Sequence, residues 1–256
     1  MSAILAALQL MVAAQGAPAP APAAVPSRVP LVAEAPTPPG FLQFCVVHPA
    51  ECGGADTSDA LERLNAVPVL SPYWQNVFAR PSASFDLRRL GHARTRRGEI
   101  NRIEEGEISA EASQDVAVRG EGIELLRRVN RDINSRIAPI SDDQAFGVLD
   151  YWTLPLDDGA RPQGDCEDFV LQKRSSLRRS GVALGAMSVA IVETPRRETH
   201  AVLLVNTDEG VLVLDNLNSR VRRLSQTPYR IISRETFGEP LRWKSGYQPD
   251  QTSIRL

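Results

Sequence analysis

Hydrophobic residues recur every three or four positions between Ile123 and Ile137, and charged residues fill the positions between them. This spacing is close to the 3.6-residue period of an α-helix, so the apolar side chains fall on one side. The pattern predicts an amphipathic helix across 122–137. Pro139 ends it, because proline has no amide donor and its ring clashes with the preceding turn.

A second helix is predicted to begin at Cys166. Asp165 is a typical N-cap residue, Phe169 and Val170 share a helical face with the cysteine, and Gly181 suits the C-terminal stop. The cysteine therefore lies in the first turn. Unpaired backbone amides and the helix dipole favour negative charge there.

Short runs rich in valine, leucine and isoleucine follow this helix, with turn-forming residues between them. Such runs are typical of an antiparallel sheet. The predicted strands span residues 187–192, 200–205, 211–214 and 229–233. Helices that pack on a small antiparallel sheet give an α+β fold.

The turn between the second and third predicted strands fixes how two polar residues pair. If it is centred between Asp208 and Glu209, Val202 pairs with Asp215, and His200 becomes a diagonal neighbour of Asp215 on the same face. Diagonal neighbours lie about 7 Å apart at the backbone, within side-chain reach. A shift of one residue would put the two on opposite faces.

The composition excludes some classes of function. The chain has 256 residues, 43% of them hydrophobic, which suffices for one catalytic domain with its own core. The formal net charge of −2 gives no overall basic field, so nucleic acid is not expected as a partner. Arginines gather between residues 88 and 97, but acidic residues follow closely, which favours a solvated charged face.

The ends of the chain differ in composition from its centre. Residues 1–16 carry apolar runs too short for a membrane span and typical of a signal peptide; a disordered N-terminus or a misassigned start is the alternative. Residues 17–40 are mostly alanine and proline, which favours an extended linker. We expect the catalytic domain over 41–246, with a charged insertion at 80–119 and a tail at 247–256.

Cys45 and Cys52 flank a short segment that contains His48 and Pro49. In an exported chain we expect a disulfide that closes this small loop. Two buried free thiols in a cytosolic protein are the alternative. A zinc site is less favoured, because His48 is the only nearby further ligand and zinc requires four.

The order Cys166, His200, Asp215 is that of a nucleophile, its base and the residue that orients the base. The thiolate would attack a carbonyl, the imidazole would carry the proton to the leaving amine, and the carboxylate would hold the imidazole. The backbone amide of Cys166 is a natural oxyanion donor, and the indole of Trp152 is a candidate for the second. Taken singly, each residue also suits a structural position, such as a buried thiol or a turn after a strand.

Acidic residues surround the nucleophile at Asp165, Glu167 and Asp168. Like charge raises the pKa of a thiol, so we expect something to neutralise them. Because Ca²⁺ binds carboxylate oxygens, the cluster is a candidate calcium site. Alternatively, the acids merely suit the first turn of a helix.

The segment Gly164-Asp165-Cys166-Glu167-Asp168-Phe169, with His200-Ala201-Val202-Leu203 and Leu214-Asp215-Asn216 downstream, resembles the bacterial transglutaminase-like cysteine peptidases. Similar segments lie on both sides of it: Phe44-Cys45, His48-Pro49, Glu51-Cys52, Val129-Asn130, Ile133-Asn134, Pro139, Asp142-Asp143, Gly147, Asp150-Tyr151-Trp152, Pro155, Tyr229-Arg230 and Trp243. The resemblance covers residues 40–245, apart from the charged stretch at 80–119.

This resemblance implies a papain-like transglutaminase core, a periplasmic location and a catalytic triad on Cys166, His200 and Asp215. The best-understood branch of the family consists of calcium-dependent endopeptidases that cut large surface adhesins, often at an Ala-Ala pair. An inner-membrane receptor for cyclic di-GMP restrains them. In that branch the acidic residues beside the nucleophile serve the metal, which corresponds to Asp165 and Glu167. No organic cofactor is expected.

We therefore predict an exported cysteine endopeptidase, and two other classes of function share its features. A transamidase on the same fold forms the same thioester but transfers the acyl group to an amine instead of water. A non-catalytic binding module would keep the triad residues as relics. Its Cys166 would not react with a thiol-directed electrophile at neutral pH.

Overall fold

The computed structural model describes residues 34–54, 57–66, 72–78, 117–157 and 162–246, together with Glu105, Ile108 and Ser109. The predicted signal peptide, most of the predicted linker, most of the charged insertion and the C-terminal tail lie outside the described residues. Within these ranges, no helix combines the length and the apolar composition that a membrane span requires.

The described residues form helices and strands in the following order along the chain. The helices are α1 (Pro39–Val47), α2 (Thr57–Ala66), α3 (Pro72–Phe78), α4 (Glu121–Arg136), α5 (Asp142–Phe146) and α6 (Cys166–Arg179). The strands are β1 (Glu34–Ala35), β2 (Ala138–Pro139), β3 (Gln163–Gly164), β4 (Met187–Glu193), β5 (Thr199–Thr207), β6 (Gly210–Leu214), β7 (Arg222–Arg223), β8 (Arg230–Thr236) and β9 (Glu239–Ser245). Both predicted helices are confirmed, as α4 and α6.

Seven of the strands form one antiparallel sheet in the order β1-β9-β8-β4-β5-β6-β7. The four predicted strands form its centre, as β8, β4, β5 and β6. The sheet is wider than predicted, because β9 and the two-residue edge strands β1 and β7 extend it. Helices on an antiparallel sheet confirm the predicted α+β fold class.

The hairpin from β5 to β6 has the predicted register. Leu203 pairs with Leu214, and Thr207 pairs with Gly210 beside the turn. The same register, continued by one residue, places Val202 opposite Asp215. His200 is thereby held as a diagonal neighbour of Asp215.

The sheet buries apolar side chains on both faces. On one face, Val170, Leu171 and Leu177 of α6 pack with Ala201 and Leu203 of β5, and all five are at most 1% exposed. On the other face a second cluster includes Ala190, Val192, Val202, Leu204, Val213, Tyr229 and Ile231. Each buried aliphatic side chain contributes about 1.5–3 kcal/mol, so the packing between α6 and β5 fixes the helix that carries Cys166.

Local chemistry explains where α6 begins and ends. Asp165 is the N-cap residue, and its backbone N–H donates to Oδ2 of Asp168 at 3.1 Å, which closes the first turn. Gly181 follows the last turn with a φ of 92°, in the left-handed region that glycine adopts without strain. Cys166 is therefore the first helical residue, as predicted.

A buried charge network ties α6 to β8 and to the segment before α2. Arg174 donates to both carboxylate oxygens of Glu235, at 2.9 and 3.1 Å, and both side chains are at most 2% exposed. Arg174 also donates to the carbonyl of Glu51. Arg178 donates to both carboxylate oxygens of Glu51 at 2.6 and 3.2 Å. The network holds the C-terminal half of α6, the end opposite to Cys166.

The N-terminal part of the fold is held by covalent and backbone contacts. A disulfide joins Cys45 of α1 to Cys52, at the end of the short 3-10 helix Pro49–Cys52. Strand β1 pairs with β9, and Oγ1 of the buried Thr37 donates to the carbonyl of Leu241 at 2.8 Å. Residues 34–40 therefore belong to the folded part, although their composition predicts a linker.

Candidate active site

Cys166 lies in the first turn of α6, against strand β5. Its thiol donates to Oε2 of Glu167 at 3.1 Å, and the sulfur accepts a hydrogen bond from the backbone N–H of Ala201. Of the three cysteines in the chain, it alone is outside the disulfide. Any thiol chemistry of the folded protein therefore takes place at this residue.

The surroundings of Cys166 keep its thiol protonated. Burial raises the pKa of the thiol to about 12, and the charges of Asp165 and Asp168 act in the same direction. The hydrogen bonds with Glu167 and with the Ala201 N–H lower the pKa, but by less. At neutral pH the nucleophile is therefore a thiol, chiefly because it is buried.

His200 and Asp215 form a buried pair. Nε2 of His200 lies 2.8 Å from Oδ1 of Asp215, and the side chains are 0% and 4% exposed. Burial would raise the pKa of Asp215, but the charge and hydrogen bond of His200, with the hydroxyl of Tyr229, outweigh it and lower the pKa. Because an ionised carboxylate only accepts hydrogen bonds, Nε2 carries the proton and Nδ1 is the nitrogen left to act as a base.

The predicted row of three groups is formed only in part. Nδ1 of His200 is buried and has no hydrogen-bond partner among the described residues, and the Cys166 thiol donates to Glu167 instead. The sulfur nevertheless contacts the backbone of Ala201, the residue after His200. The imidazole and the carboxylate are thus paired. The thiol of α6 contacts β5 one residue beyond the imidazole, at the backbone of Ala201.

Helix α4 holds the backbone on both sides of the Asp215 carboxylate. Oδ1 of Asn130 accepts from the backbone N–H of Asp215 at 3.1 Å, and Nδ2 of Asn134 donates to its carbonyl at 2.8 Å. Residues four apart on a helix lie on the same face, so one turn of α4 grips this residue. Neither asparagine is predicted from the sequence as part of the site, because their partner lies 81 or more residues away.

The acidic residues near Cys166 form two overlapping groups. Carboxylate oxygens of Asp142, Asp165 and Asp168 all lie within 4.8 Å of one another, and Asp165, Cys166 and Glu167 form a second such group. Burial and the neighbouring carboxylates raise the pKa of Asp142 to about 7 and that of Glu167 and Asp168 well above their ordinary values. Burial also raises the pKa of Asp165, against the hydrogen bonds that it accepts. Like charges are therefore held together at a cost in free energy.

The donor set of this acidic cluster suits a hard cation. Oδ1 of Asp142 and Oδ1 of Asp165 are buried and have no hydrogen-bond partner within the described residues. A buried carboxylate oxygen without a partner costs free energy unless a cation binds it, and Ca²⁺ is coordinated by such oxygens. The sequence predicts Asp165 and Glu167 as ligands. Asp142 and Asp168 extend that set, and Asp142 escapes a motif search because it lies 23 positions before Asp165, in α5.

The segment between α5 and β3 is fixed to the acidic cluster by its backbone. The N–H of Tyr151 donates to Oδ2 of Asp142 at 2.5 Å, and the N–H and Oγ1 of Thr153 donate to Oδ1 of Asp168 at 2.7 and 2.9 Å. These bonds satisfy one oxygen of Asp142 and one of Asp168. The second oxygen of Asp168 accepts from the backbone N–H of Asp165, whereas the second oxygen of Asp142 has no partner among the described residues.

The indole of Trp152 does not have the role that the sequence suggests for it. Its Nε1–H donates to Oδ1 of Asp150 at 2.6 Å, and the ring is 4% exposed and packs against Phe41 at 5.2 Å between centroids. Oδ2 of Asp150 in turn accepts from the N–H of Gly40 at 2.9 Å. The indole N–H is thus occupied in a structural contact with α1, and the expectation of an oxyanion donor is corrected.

Comparison with known proteins gives a family and several structural relatives. The profile of the bacterial transglutaminase-like cysteine proteinases, BTLCP, matches residues 100–250. No curated protein matches the chain. Calcium-bound LapG of Legionella pneumophila is 20% identical, with 68% of this chain and 94% of that chain covered and a TM-score of 0.42. A second LapG structure from this organism is also 20% identical, with 68% of this chain and 93% of that chain covered and a TM-score of 0.42. An EGTA-treated LapG structure is 21% identical, with 60% of this chain and 82% of that chain covered and a TM-score of 0.39.

Proposed function

The chain belongs to the bacterial transglutaminase-like cysteine proteinases and is a cysteine peptidase, and from this premise we propose that it hydrolyses a peptide bond in a protein substrate through a thioester on Cys166. The observation that carries this proposal is the buried pair of His200 and Asp215, together with the contact of the free thiol of Cys166 with the backbone of Ala201, the residue after His200. The pair leaves Nδ1 of His200 unpartnered, next to the residue whose backbone contacts the sulfur. A base with a vacant nitrogen beside a nucleophile is the arrangement that acyl transfer requires.

In the first half of the reaction the thiol proton moves from Sγ of Cys166 to Nδ1 of His200. The thiolate adds to the carbonyl carbon, and the peptide C–N bond breaks as the imidazolium returns the proton to the leaving amine. Asp215 stabilises the imidazolium through Nε2. In the second half His200 takes a proton from water, hydroxide adds to the thioester, and the thiol regains the proton when the acid product leaves.

The oxyanion is stabilised by the start of α6. The backbone N–H of Cys166 lies in the first turn, where helix amides have no carbonyl partner within the helix, and the helix dipole adds to its effect. Trp152 is not proposed as the second donor, because Asp150 occupies its N–H.

A calcium ion would be held by Asp142, Asp165, Glu167 and Asp168. It would neutralise Asp165 and Asp168, whose charges add to the effect of burial in raising the pKa of the thiol. Glu167, once engaged with a cation, would no longer accept the thiol proton, which would leave that proton to His200. The acidic cluster and the family resemblance support this role.

We also propose that the enzyme works in the periplasm after removal of a signal peptide at 1–16. The linker at 17–33, the insertion at 80–119 and the tail at 247–256 would flank or interrupt the catalytic domain. The disulfide between Cys45 and Cys52 supports an oxidising compartment. By the family resemblance, the substrate would be a large surface adhesin and the regulator an inner-membrane receptor for cyclic di-GMP.

Mapping of new protein N-termini tests the function. Surface proteins from the source cells are incubated with the wild-type enzyme or with Cys166→Ala, in Ca²⁺ and with a labelled primary amine. We expect new N-termini with the wild type alone, and unchanged thermal unfolding of the variant. Equal cleavage by Cys166→Ala would refute the role of Cys166. Incorporation of the amine without new N-termini would identify a transamidase instead.

A further inference from the structure

The carboxylate of Asp215 is the point at which the orientation of His200 is decided. Helix α4 already fixes the backbone of Asp215 through Asn130 and Asn134. The freedom that remains is rotation of the carboxylate about its bond to Cβ. Such rotation changes which carboxylate oxygen faces Nε2 of His200. The orientation of the imidazole therefore depends on the groups that hold each oxygen of Asp215.

Each oxygen of this carboxylate has its own donors. Oδ1 accepts from the backbone N–H of Leu217 at 2.8 Å and from Nε2 of His200 at 2.8 Å. Oδ2 accepts from the hydroxyl of Tyr229 at 2.5 Å. A buried cation, Lys173, also lowers the pKa of Asp215 by its charge, but its Nζ has no hydrogen-bond partner among the described residues. Tyr229 is therefore the group that engages the second oxygen.

The sheet explains how Tyr229 reaches this carboxylate. His200 pairs with Val192 of β4, and Val192 pairs with Ile231 of β8. Tyr229 precedes Ile231 by two positions, so it lies on the same face of the sheet as His200. Its side chain is in the second core cluster at 3% exposure, and its ring centroid lies 5.8 Å from that of His200.

We propose that Tyr229 is a positioning residue for the reaction: its hydroxyl fixes the rotation of the Asp215 carboxylate and thereby the direction in which His200 presents Nδ1. This inference rests on the proposed roles of His200 and Asp215. Without the hydroxyl, Oδ2 is a buried oxygen without a partner, and the carboxylate turns to share its remaining donors. The imidazole then loses its fixed orientation, although no group that touches the substrate has changed.

The ring nitrogens of His200 report this effect without any substrate. The chain has three histidines, so a ¹⁵N-histidine-labelled protein gives a spectrum that can be assigned by substitution of His48 and His92. We expect Tyr229→Phe to shift the His200 ring signals and leave the other two unchanged. Tyr73→Phe is the matched control, because that hydroxyl donates to the carbonyl of Ile232 at 3.2 Å. Its removal should leave His200 unchanged.

A double substitution separates action through Asp215 from direct contact between the rings. In the Asp215→Ala background, addition of Tyr229→Phe should leave the His200 signals where Asp215→Ala alone puts them. A further shift would show that Tyr229 acts on the imidazole directly and would overturn the proposal. Unshifted His200 signals in the single variant Tyr229→Phe would overturn it as well.

Turnover of the substrate found by N-terminal mapping gives the third readout. We expect Tyr229→Phe to lower kcat about 10-fold and to change KM by less than about 2-fold, since the lost hydrogen bond supports the transition state and not substrate binding. An equal loss in Tyr73→Phe, or a loss confined to KM, would contradict a positioning role. If Cys166→Ala itself retains activity, the proposed function fails, whereas the NMR result still decides whether Tyr229 holds Asp215 and His200.

Discussion

At Cys166 two opposing effects act on the thiol. The start of α6 favours the thiolate by about 0.3–2 kcal/mol. Burial and the charges of Asp165 and Asp168 raise the pKa to about 12, which disfavours the thiolate by about 4 kcal/mol relative to an ordinary thiol. The second effect is the larger. The helix start alone therefore does not ionise Cys166, and the thiol becomes a nucleophile only if a base such as His200 takes its proton.

Asp215 is the residue whose change most specifically tests the triad. Asp215→Asn keeps the size of the side chain but removes the charge that stabilises the imidazolium. We expect kcat for cleavage of the mapped substrate to fall by about 10²–10⁴-fold, with the protein still folded. Steady-state cleavage and circular dichroism measure the two effects.

Asp208 provides the control for that substitution. It is exposed in the turn between β5 and β6, so Asp208→Asn removes the same charge from the same hairpin without touching His200. Its kcat should remain within about 2-fold of the wild type. Full activity of Asp215→Asn would exclude Asp215 from the mechanism.

On the scale of elements, α5 and the start of α6 share the acidic cluster, and its raised pKa values make stability depend on pH. A carboxylate whose pKa is raised on folding stabilises the protein below its ordinary pKa, and this stabilisation is lost as the pH rises through the folded value. For Asp142 this stabilisation is lost between about pH 4 and about pH 7. In EGTA, the free energy of unfolding should therefore fall between about pH 4 and about pH 7, by on the order of 1–4 kcal/mol. Saturating Ca²⁺ should abolish this fall and raise Tm.

A pair of neighbouring aspartates separates calcium binding from general charge effects. Asp142 is buried in the cluster, whereas Asp143 is exposed on the same helix. Asp142→Asn should weaken the rise in Tm with Ca²⁺, and Asp143→Asn should not. The calcium site would be refuted by wild-type curves of Tm against pH that coincide with and without Ca²⁺.

The junction of α6 and β8 depends on the buried pair of Arg174 and Glu235. Glu235→Gln leaves a buried guanidinium without its carboxylate, which should lower the free energy of unfolding by about 3–5 kcal/mol in urea denaturation. Glu239→Gln is the matched control, because Glu239 pairs with Arg242 at the surface, where both side chains are 54% exposed. That change should cost less than about 1 kcal/mol. Equal effects of the two substitutions would show that the network does not hold α6.

On the scale of the whole molecule, the disulfide between Cys45 and Cys52 joins α1 to the segment that pairs with Arg174 and Arg178. The two cysteines are 7 positions apart, so loop closure contributes about 2.5 kcal/mol. Reduction should lower the free energy of unfolding by about this amount, in the wild type and equally in Cys166→Ala. Protein recovered from the source cells and denatured without reductant should titrate with one free thiol. Three free thiols would contradict the disulfide and the oxidising compartment that it supports.

Sequence patterns predict the elements whose information is local. The spacing of Ile123 to Ile137, the cap at Asp165 and the turn at Asp208 and Glu209 predict both helices and the register of His200 against Asp215. Strand β9 is missed, because Pro240 and the alternating charges of Arg242 and Lys244 resemble a loop.

The contacts of the site are less predictable than its elements. The bond from the thiol to Glu167 depends on rotamers, and the approach of Asp142 and Tyr229 depends on tertiary packing. Similarly, the bond from Trp152 to Asp150 depends on where α1 packs. Local sequence carries no signal for such contacts, whereas the family resemblance points to the triad without giving its geometry.

The central claim is that His200 activates Cys166, and the alkylation rate of the folded protein tests it most directly. Because Cys166 is the only thiol outside the disulfide, its reaction with iodoacetamide can be followed by mass spectrometry of the intact chain. At about pH 7 in saturating Ca²⁺, we expect the wild type to react at least about 10-fold faster than His200→Ala. Equal rates for the two proteins, at the speed of an ordinary thiol, would contradict the account.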